Sequence, residues 1–461
     1  MSITFSTLNH SMRVPLAAEI HSRPFLKLDA PESISHLAIY RGSDGGPPQS
    51  NAQFQLVLLA DLCSQFGVAP PAQGSNYFYY DFGRFRLKWE CHTEFATYTF
   101  ASRSPDAAQG LFAEMPTAHL PQQWLLSLKG RLMVAAHVAL VCNGGELDEL
   151  LRDFESNRMV GANVMQGGEL WTDFAIHADG FSRFVIRDVA MRAQQAGRLV
   201  QRVLEIETYR MMALLGLPSA QQAGSALNVI EAELASLATA MVATDAAPAA
   251  EGKLPGGGAE QALLDQITRL AARLEKLSLG SSYRFSASKA YFQLVNARIE
   301  ELRELRIEGV PMVGEFMERR LAPAMHTCAA VAARQDALGQ RIANTNDLLR
   351  TRVGIVQEMQ NRKILQSMNE RAAQQLRLQQ AVEGLSVAAI SYYVIGLLSY
   401  TGKAAKALGI SANSEVVLGL LVPFVAGGVW LMLRRMHRRV QRKKKALPES
   451  AAKSSPNSAT P

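Results

Sequence analysis

The chain has 461 residues, of which 48% are hydrophobic and 19% charged; this composition is ordinary for a folded protein of two or three modules and excludes a disordered chain. The formal net charge is +7, but eight basic residues stand in the single segment Arg434–Lys445, so the remainder is about neutral. We interpret this positive charge as the flank of a membrane segment, and we expect no nucleic-acid partner.

Residues 1–188 predict a mixed α+β domain, in which β-branched and aromatic runs are separated by glycine-containing turns. One strand, one helix and three further strands follow each other twice, which predicts two halves of similar design. The four cysteines are scattered and form no CxxC pair, so we expect free thiols in a reducing compartment. The predicted strands are Ser33–Tyr40, Asn76–Phe82, Arg84–Glu90, Glu94–Ala101, Leu132–Val141, Met159–Gln166, Glu169–Ile176 and Phe181–Arg187, and the helices are Asn51–Phe66, the short Pro121–Lys129 and one near Glu146–Phe154.

From residue 189 onward the apolar residues recur at helical spacing. We predict a helical segment over residues 189–243, a flexible linker rich in Ala, Pro and Gly over 244–258, and a helical stalk of coiled-coil type over 259–381. Pro323 predicts a kink within the stalk. No proline occurs between Ala324 and Val422, so we expect one long helix to continue from about Asp347 into the first apolar segment.

Two apolar segments approach the ~20 residues that are needed to cross a bilayer. We predict membrane helices at residues 382–401 and 416–433, joined by a short external loop at 402–415 and followed by a basic cytoplasmic tail at 434–461. Met1–Pro15 has no apolar core of the kind found in signal peptides, so both termini are expected in the cytoplasm. The lipid bilayer is therefore an expected partner of a multi-pass protein.

The first membrane segment carries small and hydroxyl-bearing residues on one helical stripe. One interpretation is a homo-oligomeric bundle in which this stripe lines a pore; the other is that the helices only pack together. No ionisable residue lies mid-membrane, which argues against a proton relay or charge-coupled transport. The candidate pore-facing residues are Ser386, Ala389, Tyr393, Gly396 and Tyr400, and the candidate pore mouth is Thr401, Gly402 and Lys403.

No catalytic motif is present: the sequence has no P-loop, GxGxxG, GxSxG or HExxH pattern. We therefore expect no enzyme and no cofactor, and the sequence leaves a metal site open. Two N-terminal clusters combine carboxylates, imidazole and a cation near aromatic residues. They are interpreted either as buried ion pairs that join strands or as an acid–base or ligand site. Their members are Glu19, His21 and Arg23 in one cluster, and Glu90, His92 and Glu94 in the other.

Four segments, Glu19–Phe25, Phe78–His92, Glu205–Leu217 and Gln357–Tyr393, resemble an uncharacterised family of bacterial membrane-anchored proteins of unknown function. The resemblance covers nearly the whole chain, implies the bacterial inner membrane, and supplies no activity.

The order of elements is also similar to that of CorA-type magnesium channels, which are pentamers with a Gly-Met-Asn signature after the first span. The corresponding stretch here, Tyr400–Lys403, lacks the Met and the Asn and places a lysine near the mouth. The first functional hypothesis is a CorA-like oligomer, either an ion pathway or a sensing or scaffolding relative. The alternative is a membrane-tethered enzyme or ligand-binding module, and a third is a stalk-like scaffold.

Overall fold

The computed structural model describes residues 8–14, 16–17, 24–41, 48–103, 110–144, 151–152, 154, 158–192, 194–246, 257–407 and 414–445. The strands are β1 Glu32–Tyr40, β2 Tyr77–Asp81, β3 Arg86–Cys91, β4 Phe95–Arg103, β5 Leu132–Cys142, β6 Val160–Val164, β7 Gly168–Ile176, β8 Ser182–Asp188 and β9 Leu305–Arg306. The helices are α1 Pro48–Gln65, α2 Gln122–Ser127, α3 Gln195–Leu214, α4 Gly216–Ala246, α5 Gly257–Leu302, α6 Val313–Arg320, α7 Ala322–Ala407 and α8 Ser414–Lys445.

The nine strands form one sheet in the order β2-β3-β4-β1-β5-β8-β7-β6-β9. All eight strands predicted from the sequence are present, and β9 is an addition from the helical region that pairs with β6 at the sheet edge. In each half the last strand of the three-stranded meander pairs with the first strand of that half, as expected for two halves of similar design. The halves differ in direction, because β1 is antiparallel to β4 whereas β5 is parallel to β8.

Helices cover both faces of the first half of the sheet, which explains why β1 and β4 are buried along most of their length. On one face, α1 and α2 pack on Leu87, Trp89 and Tyr98 of the sheet, and the indole N–H of Trp124 donates to the carbonyl of Leu58 at 3.0 Å. On the other face, α3 closes the main core. The helix contributes Leu199, Val200, Val203 and Leu204 to this core, and the side chains from the sheet include Ile34, Ala38, Val138 and Leu140.

The helical region beyond the sheet begins as a three-helix bundle. Leucine and isoleucine side chains of α4, α5 and the first part of α7 form its core, for example Leu234, Leu274 and Leu338. Ser281 of α5 and Gln335 of α7 are hydrogen-bonded inside it at 3.0 Å. A compact unit consisting of residues Met1–Pro248 and Gln261–Leu349 therefore contains both the sheet and this bundle.

Three predicted helix boundaries differ from the structure. The helix expected from Val189 begins at Gln195, because the backbone N–H groups of Val189 and Ala190 bond to the carbonyl of Gly167 in the β6–β7 turn. The helical stalk expected from residue 259 begins with the helix α5, which starts at Gly257. Pro323 does not kink a helix: α6 ends at Arg320 and α7 begins at Ala322, so the proline lies in a first turn, where its missing N–H breaks no hydrogen bond.

A second unit comprises residues Ala249–Glu260 and Arg350–Pro461. Both predicted membrane segments lie inside its helices, 382–401 in α7 and 416–433 in α8. Helix α7 extends to Ala407 and α8 begins at Ser414, so part of the predicted loop 402–415 is helical. Residues 247–256 of the predicted linker, 408–413 of the loop, 446–461 of the tail and most of the helix expected near Glu146–Phe154 lie outside the described residues.

Two helical stretches have the length and composition of a membrane-crossing helix: Gln195–Ala243 and Val313–Thr401. In the first, 28% of the most apolar window is buried, and side chains such as Leu227, Ile230 and Leu234 face the bundle core. In the second only 6% of that window is buried. A shorter apolar stretch, Gly419–Met432, lies in α8.

Candidate functional site

A cavity of about 230 Å³ lies between the first half of the sheet and the helices α3 and α5. Its floor is the sheet face opposite to the one that carries Leu87, Trp89 and Tyr98. Because successive side chains of a strand point to opposite faces, Lys88 and Glu90 of β3 fall on the cavity side together. The same alternation places Thr97 and Thr99 of β4 there.

Strand register brings these polar residues into rows across the floor. Thr99 is the Cα partner of both His36 on β1 and Lys88 on β3, and Thr97 is the partner of Glu90. Directly opposed side chains on one face of a sheet lie about 5 Å apart at their Cβ atoms. The sheet therefore presents a compact polar patch, most of it buried, to the helices that pack above it.

A chain of hydrogen bonds and ion pairs connects this patch to the helices. Lys88 Nζ lies 3.0 Å from Glu90 Oε2 and donates to Gln201 Oε1 of α3 at 3.2 Å. Gln201 in turn donates from Nε2 to Glu205 Oε1 at 2.7 Å, and Arg298 of α5 donates to the other oxygen of Glu205. The Lys88 side chain is only 4% exposed. Two ion pairs from three elements are thus joined through one amide.

His36 is a rigid neutral element of the cavity wall. Its Nδ1 is 2.9 Å from the Thr99 hydroxyl and its Nε2 is 3.0 Å from the Thr208 hydroxyl of α3. Burial, and to a smaller extent the neighbouring Lys88 and His92, lower the pKa of His36 to about 3. The imidazole is therefore uncharged at neutral pH, and it holds the two hydroxyl groups in fixed positions.

The rest of the wall is apolar or carries single polar groups. The Thr97 hydroxyl faces the cavity from a residue that is 5% exposed, and it makes no hydrogen bond within the part of the chain that the structure describes. The His92 ring stacks on Phe95 with 4.6 Å between centroids. The apolar lining comes from side chains of the segment before β1, of β4 and of α3: Leu26, Leu28, Phe95, Val200 and Leu204.

Glu94 lies next to the cavity and belongs to a separate ion pair. Both of its oxygens accept hydrogen bonds from Arg284 of α5 at 2.9 Å, and the Tyr291 hydroxyl donates to Oε2 at 2.8 Å. Burial and the Glu94 charge both raise the pKa of Tyr291, so it stays protonated. Burial alone would lower the pKa of Arg284, but its bonds to Glu94 raise it. This pair fastens α5 to the start of β4.

The structure separates the predicted site residues into three groups. Glu90 and His92 line the cavity, and Glu90 is paired with Lys88 of the same strand. Glu94 forms a buried ion pair with Arg284 of the helix α5. Glu19, His21 and Arg23 lie outside the described residues. Among the described residues there is no group of three His, Cys, Asp or Glu side chains with metal-site geometry.

Sequence reasoning missed several groups that complete the site. His36 comes near Lys88 through the pairing of β1 and β3 with β4, whereas only the packing of α3 and α5 on the sheet brings Gln201, Glu205 and Arg298 there. The sequence contained a local signal for the cavity floor alone. Strands β3 and β4 alternate polar and large apolar residues, and this alternation places the polar residues on one face of the sheet.

The predicted pore-facing stripe lies on the surface of α7 in the second unit. Ala389, Tyr393 and Tyr400 are exposed there, while Ser386 and Gly396 are partly exposed. The Ser386 hydroxyl donates to the carbonyl of Val382 at 2.9 Å, so its own helix satisfies it.

The predicted pore mouth shows the same local bonding. The hydroxyl of Thr401 donates to the carbonyl of Leu398 at 2.8 Å, and Lys403 Nζ lies 5.9 Å from the centre of the Tyr400 ring. Gly402 is helical. A pore lining remains a prediction.

A model of a protein family matches residues 8–440, and its description is "Protein of unknown function (DUF3422)". No curated protein and no solved structure matches the chain. The match confirms the predicted resemblance to an uncharacterised family, and it extends over the sheet, the bundle and both apolar helices. It carries no activity, and the comparisons give no likeness to CorA-type channels.

Proposed function

The chain belongs to the DUF3422 family of proteins of unknown function, and from that premise we propose that it is a membrane-tethered, non-enzymatic protein that binds a small polar molecule in the cavity beneath α3. The observation that carries this proposal is Lys88, a cation that is almost fully buried on the cavity floor and held between Glu90 and Gln201. Lysine is among the residues that are least often buried, and burying its charge costs free energy unless partners such as Glu90 and Gln201 compensate for it.

The cavity has the composition of a small-molecule site. Such sites are concave and mostly apolar, with a few fixed polar groups that orient the ligand. Here the leucines Leu26, Leu28 and Leu204 supply apolar surface, while Thr97 and Lys88 supply donors held by the sheet. The volume of about 230 Å³ exceeds many times the ~15 Å³ that a single water requires, so it admits an organic molecule.

A direct test is to identify what the purified full-length protein carries. The protein is extracted in detergent, exchanged into volatile buffer and heated, and the released small molecules are measured by mass spectrometry. The matched control is Leu204→Trp, which fills the cavity with a larger side chain. We expect a compound that is released by the native protein and absent from the variant. An identical set of released compounds from both proteins would contradict ligand binding in this cavity.

The membrane part of the proposal places the apolar helices around 382–401 and 416–433 in the bacterial inner membrane, with both termini in the cytoplasm. It is supported by the exposure of the apolar window in α7 and by the basic run Arg434–Lys445, which follows the apolar stretch of α8 within the same helix. In a chain with its native cysteines replaced, a cysteine at Lys403 is expected to react with an impermeant maleimide in intact spheroplasts. A cysteine restored at 142, an exposed position, is expected to react only after lysis. The reverse labelling pattern would overturn the orientation.

A second candidate function is a homo-oligomeric ion pathway of CorA-like organisation. One observation favours it: Tyr393 and Tyr400 stand exposed on the apolar surface of α7, beside a groove of about 290 Å³ lined by Tyr393, Val394, Leu397, Leu398 and Thr401. An oligomer would cover this groove. The test is the mass of the detergent-solubilised protein, followed by ion flux into liposomes for the native chain and for Lys403→Ala. A monomer, or liposomes without flux, would remove this candidate.

A further inference from the structure

The charged groups of the cavity alternate in sign and balance each other. Lys88 and Arg298 are the cations, and Glu90 and Glu205 are the carboxylates. His36 adds no charge, because burial disfavours its protonated form and lowers its pKa, while both ring nitrogens lie within hydrogen-bond distance of threonine hydroxyls. The two pairs face the same space and are joined through Gln201, so the site offers a positive and a negative group at neighbouring positions.

This balance restricts the ligand. A purely anionic molecule would attract the two cations but would bring its charge next to two carboxylates in a desolvated space, and a purely cationic one would meet the opposite conflict. A molecule that carries one positive and one negative group close together can contact both pairs and leaves the cavity neutral. Charge-assisted hydrogen bonds of this kind are about twice as strong as neutral ones.

We propose that the cavity binds a zwitterion of the α-amino-acid class, with its carboxylate at Lys88 and Arg298, its ammonium group at Glu90 and Glu205, and an apolar side chain against Leu26, Leu28 and Leu204. The inference rests on the proposed function, since it names the class of ligand for the same cavity. Two details support it. Lys88 has three N–H donors, of which Glu90 and Gln201 take two in the described residues, and the Thr97 hydroxyl beside them has no partner there.

The test uses the full-length protein in detergent, with isothermal titration and thermal unfolding as readouts. A panel of the common amino acids identifies the tightest binder. For leucine, the matched half-analogues are 3-methylbutylamine, which lacks the carboxylate, and 4-methylpentanoate, which lacks the ammonium group. We expect an amino acid to bind and each half-analogue to bind at least about 10-fold more weakly, the loss that follows from one missing charge-assisted hydrogen bond.

Two variants test the residues. Lys88→Met combined with Glu90→Gln removes one charge pair while keeping the cavity neutral, and we expect about 10- to 100-fold weaker binding. The control is Arg273→Met with Glu233→Gln, an exposed pair on the bundle with no expected effect on binding. Thr97→Val serves in case the first variant does not fold. It keeps the shape of the side chain, and we expect about 2- to 10-fold weaker binding with an unchanged unfolding midpoint.

The outcomes separate this inference from the function on which it rests. A half-analogue that binds as tightly as the amino acid overturns the zwitterion but leaves a ligand-binding cavity. So does a released compound of another class combined with no binding of any amino acid. If no panel member binds and no compound is released on heating, both the zwitterion and the ligand-binding function are overturned.

Discussion

Replacing Glu94 by Gln should destabilise the sheet unit, the compact unit that contains the sheet and the three-helix bundle, far more than the same replacement at Glu233. Both carboxylates pair with an arginine, at 2.9 Å for Arg284 and at 2.6 Å for Arg273. The side chains of the first pair are 8% and 12% exposed, whereas those of the second are 45% and 51% exposed. The two ion-pair distances therefore predict similar losses of stability for the two replacements, whereas the difference in burial predicts a larger loss for Glu94→Gln.

We expect burial to determine the loss of stability, because Glu94→Gln leaves the Arg284 guanidinium desolvated without a counter-charge. Breaking a buried pair in this way costs about 3–5 kcal/mol, whereas an exposed pair contributes about 0–1 kcal/mol. The assay is urea unfolding of the full-length protein in detergent, followed by tryptophan fluorescence, since Trp89 and Trp124 are fully buried in the sheet unit. The double replacement Glu94→Leu with Arg284→Met should recover most of the loss, because it leaves no unpaired charge. Equal losses for Glu94→Gln and Glu233→Gln would refute the reasoning.

Two further predictions concern pH and glycine. The pKa values of His36 and His137 are lowered from 6.5 to about 3 and about 4, chiefly by burial, so between pH 6.5 and 4 the unfolded chain takes up protons that the folded chain does not. The free energy of unfolding should therefore fall as the pH falls through this window, by up to about 1.4 kcal/mol per pH unit for each histidine, and urea titrations of His36→Gln should give a slope smaller by that amount; an unchanged slope would be inconsistent with a neutral His36. A Cβ added at Gly197 would lie 1.9 Å from the carbonyl oxygen of Leu26, so Gly197→Ala should lower the unfolding free energy by about 1–3 kcal/mol. Gly280→Ala, in an open position inside α5, should raise it by about 1 kcal/mol, and thermal unfolding of the two variants would show whether the sign differs as expected.

The strands of the sheet were predictable because the residues that favour a strand lie within the strand itself. The runs around Tyr77–Asp81 and Phe95–Arg103 are rich in aromatic and β-branched residues, and each became a strand within a few residues of its predicted bounds. The long helix expected from about Asp347 into the first apolar segment is also present, but α7 begins earlier, at Ala322, and continues to Ala407. Boundaries that depend on distant contacts were not predictable: the start of α3 at Gln195 is set by backbone bonds to Gly167.

The sequence by itself determined the mixed α+β domain, the long helical region, the family, and the position of the apolar helices with their basic flank. It also singled out Glu90 and His92, because local composition shows that a strand is unusually polar. The tertiary structure alone decided that Glu90 belongs with Gln201, Glu205 and Arg298, since residues more than a hundred positions apart meet only through the packing of α3 and α5 on the sheet. Local pattern fixes which face of a strand a side chain occupies, whereas what covers that face depends on the order of strands and the path of the chain.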